Sequence, residues 1–409
     1  MYLNNYQHLK NKETYLLIFL FSFSFLIRIP IIHMYGDIRI ENEWGYLLKN
    51  LLEHGQLIYE SFDGFLLPNL WMPPLYAYYI YFFSFFTTEE IVITKLVLYS
   101  QALLASLSVL IFYKLNKIFF HKKISFYSSL LLSFFPLYVF ACSQISSISL
   151  QVFLIIFFIY FFFECVKKKN YTSIIYFSFT GGLLILLRGE SAAIILLSLI
   201  YLFFFFKLST KKILLIFLVT SITISPYLVR NFLIFEKVTI IKSFGYNLWR
   251  GNHPDAIKNS LIEGSEVRYG NLQEQVDGIK KDKFYRINYD ELFLHEAITN
   301  FKKDPKGTIF LFLKKTISFL FINIKSAEPN YFNPLNYIPL LIIGITSVFG
   351  IVLTNKKSYS LNYLILILFA YVMIFSSVAI LPRYKLVILP LQIIFTNVLL
   401  SKFKIWKNP

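Results

Sequence analysis

Apolar residues run without alternation for the length of a membrane crossing, repeatedly along the chain; residues 15–32, 213–228 and 362–381 are examples. About 20 such residues cross a bilayer as a helix, and only helices or closed barrels satisfy backbone polar groups there. Barrel strands alternate apolar and polar positions, so continuous runs predict an all-α polytopic membrane protein.

The polar positions between the runs set the topology. Lysines cluster at Lys10/Lys12, Lys114/Lys117/Lys122/Lys123, Lys167/Lys168/Lys169, Lys207/Lys211/Lys212, Lys356/Lys357 and Lys402/Lys404/Lys407. The positive-inside rule puts all six clusters in the cytoplasm, so an even number of crossings separates neighbours. Between Lys12 and Lys114 there are three apolar segments, 14–32, 73–86 and 91–113. The shortest, 73–86, is tyrosine-rich and opens on Pro73 and Pro74, and is read as interfacial. Between Lys212 and Lys356 the segments are 213–232, 308–324 and 336–354. The middle one carries Lys314 and Lys315 in its interior and is likewise removed from the crossings. About ten spanning helices remain, with both termini inside and two large outer segments, 33–90 and 233–335. The chain divides into an N-terminal transmembrane module (1–235) holding the first outer loop, a large outer loop with an interfacial helix (236–335), and C-terminal transmembrane helices (336–409).

Composition agrees. The chain is 56% hydrophobic and only 15% charged, against about 25% charged in soluble domains. The +17 net charge sits in the clusters between apolar runs and not along one soluble face, which argues against a nucleic-acid partner. Cys142 and Cys165, near opposite ends of one apolar stretch, form no disulfide or metal framework. The 15–32 run is too long for a signal-peptide core, and no small-residue cleavage site follows it.

Candidate chemistry lies in the outer segments. The first holds Asp37, Glu41 and Glu43, followed by Trp44, Leu47, Leu48, Leu51 and Leu52 at helical spacing, with Gly55 as a stop. The spacing predicts an amphipathic helix in the headgroup plane, and Asp37 and Glu41 share a face if that stretch is helical. A solvated acidic loop is the plain alternative. Arg188, Arg230, Arg383 and Lys385 fall at outer ends of spanning runs, where each either snorkels to lipid phosphate or contributes to a phosphate site. In 245–256 the turn-rich sequence around Trp249, Asn252 and His253 suits sugar or headgroup contact. His253 could serve as a metal ligand, but a lone histidine is more often a loop residue, so a divalent metal is not indicated and no cofactor is expected. Helix is expected over 288–303.

In this order the features resemble the GT-C membrane glycosyltransferases of glycosyltransferase family 39, which includes protein O-mannosyltransferases and the lipid A aminoarabinose transferase. The matching landmarks are Glu43-Trp44, Asn50-Leu51-Leu52 with Gly55, and Pro73-Pro74-Leu75-Tyr76. Further on come Leu187-Arg188, Pro226 with Arg230-Asn231, Gly251-Asn252 with Pro254, and Arg383 with Pro390. The family's catalytic acid is usually an aspartate a few residues before the Glu-Trp pair. That register falls near Ile40, so Glu41 and Asp37 both qualify. The resemblance implies a GT-C-like bundle in a bacterial inner membrane and a sugar donor on polyprenyl phosphate. The acceptor is extracytoplasmic (glycan, lipid or protein), a first-loop carboxylate is the base, and Arg230, Arg383, Arg188 or Lys385 stabilise the leaving phosphate. A flippase or an O-antigen-polymerase-like protein is the alternative. Transporters place ionisable groups at the midplane of broken helices in repeated halves, and no internal repeat is seen.

Overall fold

The computed structural model describes residues 2–62, 65–264, 269–326 and 332–403, with nothing stated for the side chains of 2–12, Glu60 and Asn271. The first half comprises α1 (Tyr2–Tyr35), α2 (Asn42–His54), β1 (Ile58–Phe62), β2 (Phe65–Pro68), α3 (Pro74–Phe83), α4 (Glu90–Asn116), α5 (Lys122–Phe134) and α6 (Pro136–Ala141). Next come α7 (Ile148–Lys168), α8 (Tyr171–Leu187), α9 (Ser191–Phe204) and α10 (Thr210–Phe235). The long connection contains α11 (Phe244–Gly251), α12 (Pro254–Asn259), α13 (Gln273–Asp277), α14 (Tyr285–Lys303) and α15 (Pro305–Leu320). Then follow α16 (Pro334–Val352), α17 (Tyr359–Ser376), a 3-10 turn over Pro382–Val387 and α18 (Leu389–Leu400).

Among the described residues, six helices are long and apolar enough to cross a membrane: α1, α4, α7, α10, α16 and α17. Three shorter apolar helices, α8, α9 and α18, join them, and α5 with α6 forms a further apolar rod broken at Pro136. Of the ten spanning helices expected from charge and parity, six are long enough to span among the described residues, and shorter or broken apolar rods stand at the other four places. Segments expected on the same side also meet. Lys117 pairs with Glu13 at 2.5 Å, Lys212 Nζ donates to the Lys169 carbonyl at 2.6 Å, and Tyr201 Oη donates to the Tyr359 carbonyl at 2.9 Å. At the opposite end the 35–37, 142–146 and 377–388 connections gather. Lys404 and Lys407 of the last basic cluster lie outside the described residues.

The two segments removed from the crossings are helical but serve otherwise. α3 has 10 residues, about 15 Å of helix, too short to span. α15 fixes both of its interior lysines to the long connection, Lys314 to Ser260 Oγ and Lys315 to the Gly251 carbonyl. The helix expected over 288–303 is α14.

Two local expectations change. The apolar face of α2 is used against protein and not lipid: Leu47, Leu48 and Leu51 are buried, and Leu47 and Leu51 pack with Leu57, Ala77 and Tyr227, while Leu52 remains exposed. Gly55 does end the helix in the left-handed region (φ 66°), its N–H returning to the Leu51 carbonyl. An antiparallel hairpin of β1 and β2 also follows α2. Its signal was the Asp63-Gly64 pair between apolar residues, obscured by the dominance of helical runs.

Close helix approach in a membrane relies on small residues. A Cβ on Gly350 of α16 would stand 1.8 Å from the Phe395 carbonyl oxygen of α18. Gly350→Val should therefore force α16 and α18 apart and cost about 1–3 kcal/mol, the usual range for overpacking. Thermal unfolding in detergent should show a lower midpoint than Ile345→Val, a change on an exposed position of the same helix. Equal midpoints would mean that the two helices do not touch at Gly350.

Candidate active site

The first helix ends where its backbone finds partners elsewhere. Asp37 N–H donates to the Ser143 carbonyl at 3.0 Å, and Gln144 Nε2 donates to the Tyr35 carbonyl at 3.0 Å. Ile145 N–H donates to Asp37 Oδ2 at 2.6 Å. These bonds lash residues 35–37 to the connection between α6 and α7. Residues 36–41 are consequently not helical, so Asp37 and Glu41 do not share a helix face. They meet instead on the wall of one cavity.

The α6–α7 connection is itself held from behind. Gln101 of α4 donates to the Gln144 carbonyl at 2.9 Å and accepts from Tyr76 Oη at 2.8 Å. Both side chains are fully buried. Tyr76, from the Pro73-Pro74-Leu75-Tyr76 motif, also takes the edge of Trp44, ring centroids 4.7 Å apart. The two sequence landmarks therefore converge beneath the carboxylate.

Asp37, Glu41, Glu43 and Trp44 line a cavity of about 950 Å³, whose other walls come from α6, the start of α7, α16 and the 3-10 turn. Burial lifts the Asp37 carboxyl above the ordinary 3.8; the Ile145 N–H counters this and the Glu41 charge adds to it. The 3-10 turn lines the cavity with Arg383 and Leu386, three residues apart and therefore eclipsed on one face of a 3-10 helix. Lys385 is off that face. It is buried, its Nζ has no hydrogen-bond partner among the described residues, and desolvation pushes its amine down to about 7. Arg188 does not line the cavity; it reaches the same Tyr384 ring as Arg383, at 5.4 and 5.8 Å.

The remaining sequence candidates lie apart. Arg230 donates to the carbonyls of Asn69 (2.9 Å) and Leu57 (3.2 Å) and to Asn231 Oδ1 (2.7 Å), binding α10 to the segments flanking the hairpin. Trp249 is buried among Tyr246, Tyr269 and Phe293. Asn252 holds the Leu248 and Ser377 carbonyls, and His253 Nδ1 accepts from Asp255 N–H to cap α12. Among the described residues no group of three or more His, Cys, Asp or Glu is gathered to hold a metal ion. A second cavity, of about 680 Å³, borders the 40–42 segment. It shares Glu41 and Asn42 with the first and adds Lys49, Glu53 and Glu90.

Sequence reasoning missed Tyr76 and Gln101 as supports and Ile145 as the donor to Asp37. A glutamine inside the apolar 91–113 run was the available signal, because polar groups within spanning helices rarely lack a partner.

The fold is similar to that of the oligosaccharyltransferase AglB from Archaeoglobus fulgidus in complex with an inhibitory peptide and a dolichol-phosphate. Identity is 13%, the match covers 98% of this chain and 51% of that one, and the TM-score is 0.59. The Archaeoglobus fulgidus oligosaccharyltransferase tethered by a disulfide bond to an acceptor peptide containing the NVT sequon is similar too. There identity is 14%, coverage 95% and 49%, and the TM-score 0.57. The chain thus spans about half the length of these two proteins. No curated protein matches it by sequence. These structural likenesses place the chain in the GT-C fold class. Within that class, residues 72–229 match the family described as dolichyl-phosphate-mannose-protein mannosyltransferase, a stretch that contains Tyr76 and Gln101 and leaves Asp37 and Arg383 outside it.

Displacing a reacting group by about 1 Å can cost about 10²-fold in rate. Gln101→Leu frees the α6–α7 connection and, on the transferase reading, should lower sugar transfer by about 10- to 100-fold in protein that remains monodisperse in detergent. Tyr76→Phe should act in the same direction and less strongly. Wild-type rates in both variants would mean that this connection holds Asp37 without Gln101.

Proposed function

We propose that the protein transfers a sugar from a polyprenyl-phosphate donor in the outer leaflet of a bacterial inner membrane to an extracytoplasmic acceptor, with Asp37 as general base. The observation that carries this reading is that Asp37 and Arg383 line one cavity. The similarity to an archaeal enzyme whose structure holds a dolichol-phosphate supports a lipid-phosphate donor.

In this reading Arg383 takes the donor phosphate in a charge-assisted contact, with Arg188 behind it across Tyr384. Asp37 Oδ2 is occupied by the Ile145 N–H, which leaves Oδ1 to receive a proton. An acceptor hydroxyl or amine loses its proton to Oδ1 as its oxygen or nitrogen bonds to the anomeric carbon. The bond from that carbon to the phosphate oxygen breaks, and the phosphate departs with the electron pair. Lipid phosphate is a good leaving group that needs charge stabilisation more than a proton. The acceptor would approach from the second cavity, since Glu41 and Asn42 border both. Asp37 is preferred to Glu41 as base because it is half-buried and oriented by a backbone donor, whereas Glu41 is exposed. Lys385, Arg230, Trp249, Asn252 and His253 take supporting places in this scheme and not direct contact with the reacting atoms.

The test is turnover of radiolabelled polyprenyl-phosphate sugars by wild type, Asp37→Asn, Glu41→Gln and Glu43→Gln. Asp37→Asn should lose about 10²–10⁴-fold, the usual contribution of a general base, while the glutamine variants lose less. Equal activity in Asp37→Asn and wild type would sink the mechanism.

The acid limb of the wild-type rate profile supplies an independent check. The base must be ionised and its carboxyl is raised, so activity should fall away as pH drops through a value above 3.8. A limb at or below the ordinary aspartate value would speak against Asp37 in this environment.

A further inference from the structure

The two lysines in the middle of α15 meet different surroundings. Lys314 reaches Ser260 Oγ at 2.7 Å over the Phe310 ring. Lys315 is fully buried and donates to the Gly251 carbonyl at 2.6 Å and to Asn252 Oδ1 at 3.2 Å. Desolvation pushes its amine down to about 7. Burying an amine without a carboxylate partner is costly, and an apolar residue would fill the same space at less expense. The two acceptors explain what the amine adds.

Asn252 extends the contact. Its Oδ1 faces Lys315, and its Nδ2 donates to the Ser377 carbonyl at 2.8 Å. Gly251 lies so close to the same strip that an added Cβ would stand 2.5 Å from the Val378 carbonyl carbon. A few residues on, Ile380 N–H donates to the Ile262 carbonyl at 3.0 Å. The strip 377–381 is thus fixed at three points to the long connection and leads directly into Pro382 and Arg383. Phe319 of α15 also reaches this region, packing on Phe375, which packs on Tyr384.

We propose that Lys315 is a positioning residue: through Asn252 and Gly251 it sets the register of 377–381 and so the place of Arg383 on the cavity wall. The inference rests on the transferase reading for its consequence and on hydrogen bonding alone for its structural part. Either protonation state of an amine retains N–H donors, so the clamp needs the amine and not its charge.

The experiment compares wild type, Lys315→Met, Arg383→Ala and the double variant, all full-length in detergent. Two readouts are taken: deuterium uptake of the 377–384 peptide, and KM and kcat for donor and acceptor. Methionine keeps the length of lysine and removes the donors. Lys315→Met should speed exchange at Ile380, raise donor KM by about tenfold, and leave kcat and acceptor KM within about twofold. It should add nothing to Arg383→Ala, because the residue it positions is already gone. Asn252→Ala should give the same pattern and replaces Lys315→Met if that variant does not fold. Unchanged exchange with unchanged donor KM overturns the proposal. A loss that persists undiminished in the Arg383→Ala background also overturns it, since Lys315 would then act on the fold at large. Exchange requires no turnover. If wild type transfers no sugar, the transferase reading fails by itself, while unchanged exchange overturns the clamp and faster exchange supports it.

Discussion

The bond from Ile145 N–H to Asp37 Oδ2 is the contact around which the outer end of the bundle is arranged. A carboxylate two residues beyond a membrane helix would ordinarily extend toward water. Here the Asp37 backbone and side chain both turn to the α6–α7 connection, and Gln144 returns a bond to Tyr35. The connection cannot drift, because Gln101 holds it from α4 and Tyr76 holds Gln101 from α3. Four separate elements of the chain therefore determine the position of one oxygen atom. Such over-determination is what preorganisation requires: the entropy of orienting the group is met by folding and not at each turnover.

The same two parts of the chain meet again lower down. Pro136 has no N–H, so α5 cannot run unbroken into α6 and carbonyls near the break lose their helical partners. Arg28 of α1, fully buried, donates to the Ser133 carbonyl at 2.9 Å and to Ser24, with its guanidinium 5.1 Å from the Tyr138 ring. An intramembrane arginine is tolerated where backbone oxygens and an aromatic face replace water. The break has a use above it: α6 contributes Leu137, Phe140 and Ala141 to the cavity wall. α1 is thus joined to the α5–α6 rod at Arg28 and to the connection that follows at Asp37.

What the sequence made legible follows from the range of each interaction. Apolar runs and lysine clusters act within a few residues, so the ten rods and the two non-crossing helices could be read directly. The first-loop carboxylates and Arg383 were also legible, because charge near the end of an apolar run is locally unusual. The long-range partners were not. Arg230 has the same local signature as Arg383, yet its guanidinium is taken up by carbonyls more than 160 residues away in the chain. Trp249 reads as a surface aromatic in a turn-rich loop, but α14 covers it. The Leu47, Leu48 and Leu51 face was equally ambiguous: its spacing announces burial without saying whether lipid or protein provides it. The choice between Asp37 and Glu41 depended on Ile145, which is 108 residues beyond Asp37.

The number of donors on Asp37 matters as much as their placement. A carboxylate accepting two or three backbone N–H bonds titrates well below the usual carboxylate range, and so stabilised an anion would be a poor base. A carboxylate with none would be free to rotate. One donor at Oδ2 fixes the group while leaving Oδ1 basic, and partial burial with the Glu41 charge nearby moves the carboxyl upward against that single bond. Removing the Ile145 interaction would therefore release orientation and raise proton affinity together, two effects of opposite sign on a general base. For Arg383 the requirement is different. Its contribution depends on position, and a strip of backbone held at Ser377 and Ile380 supports it. On the transferase reading, one group tuned in proton affinity and one cation held in place are what a transfer from lipid phosphate asks of its site.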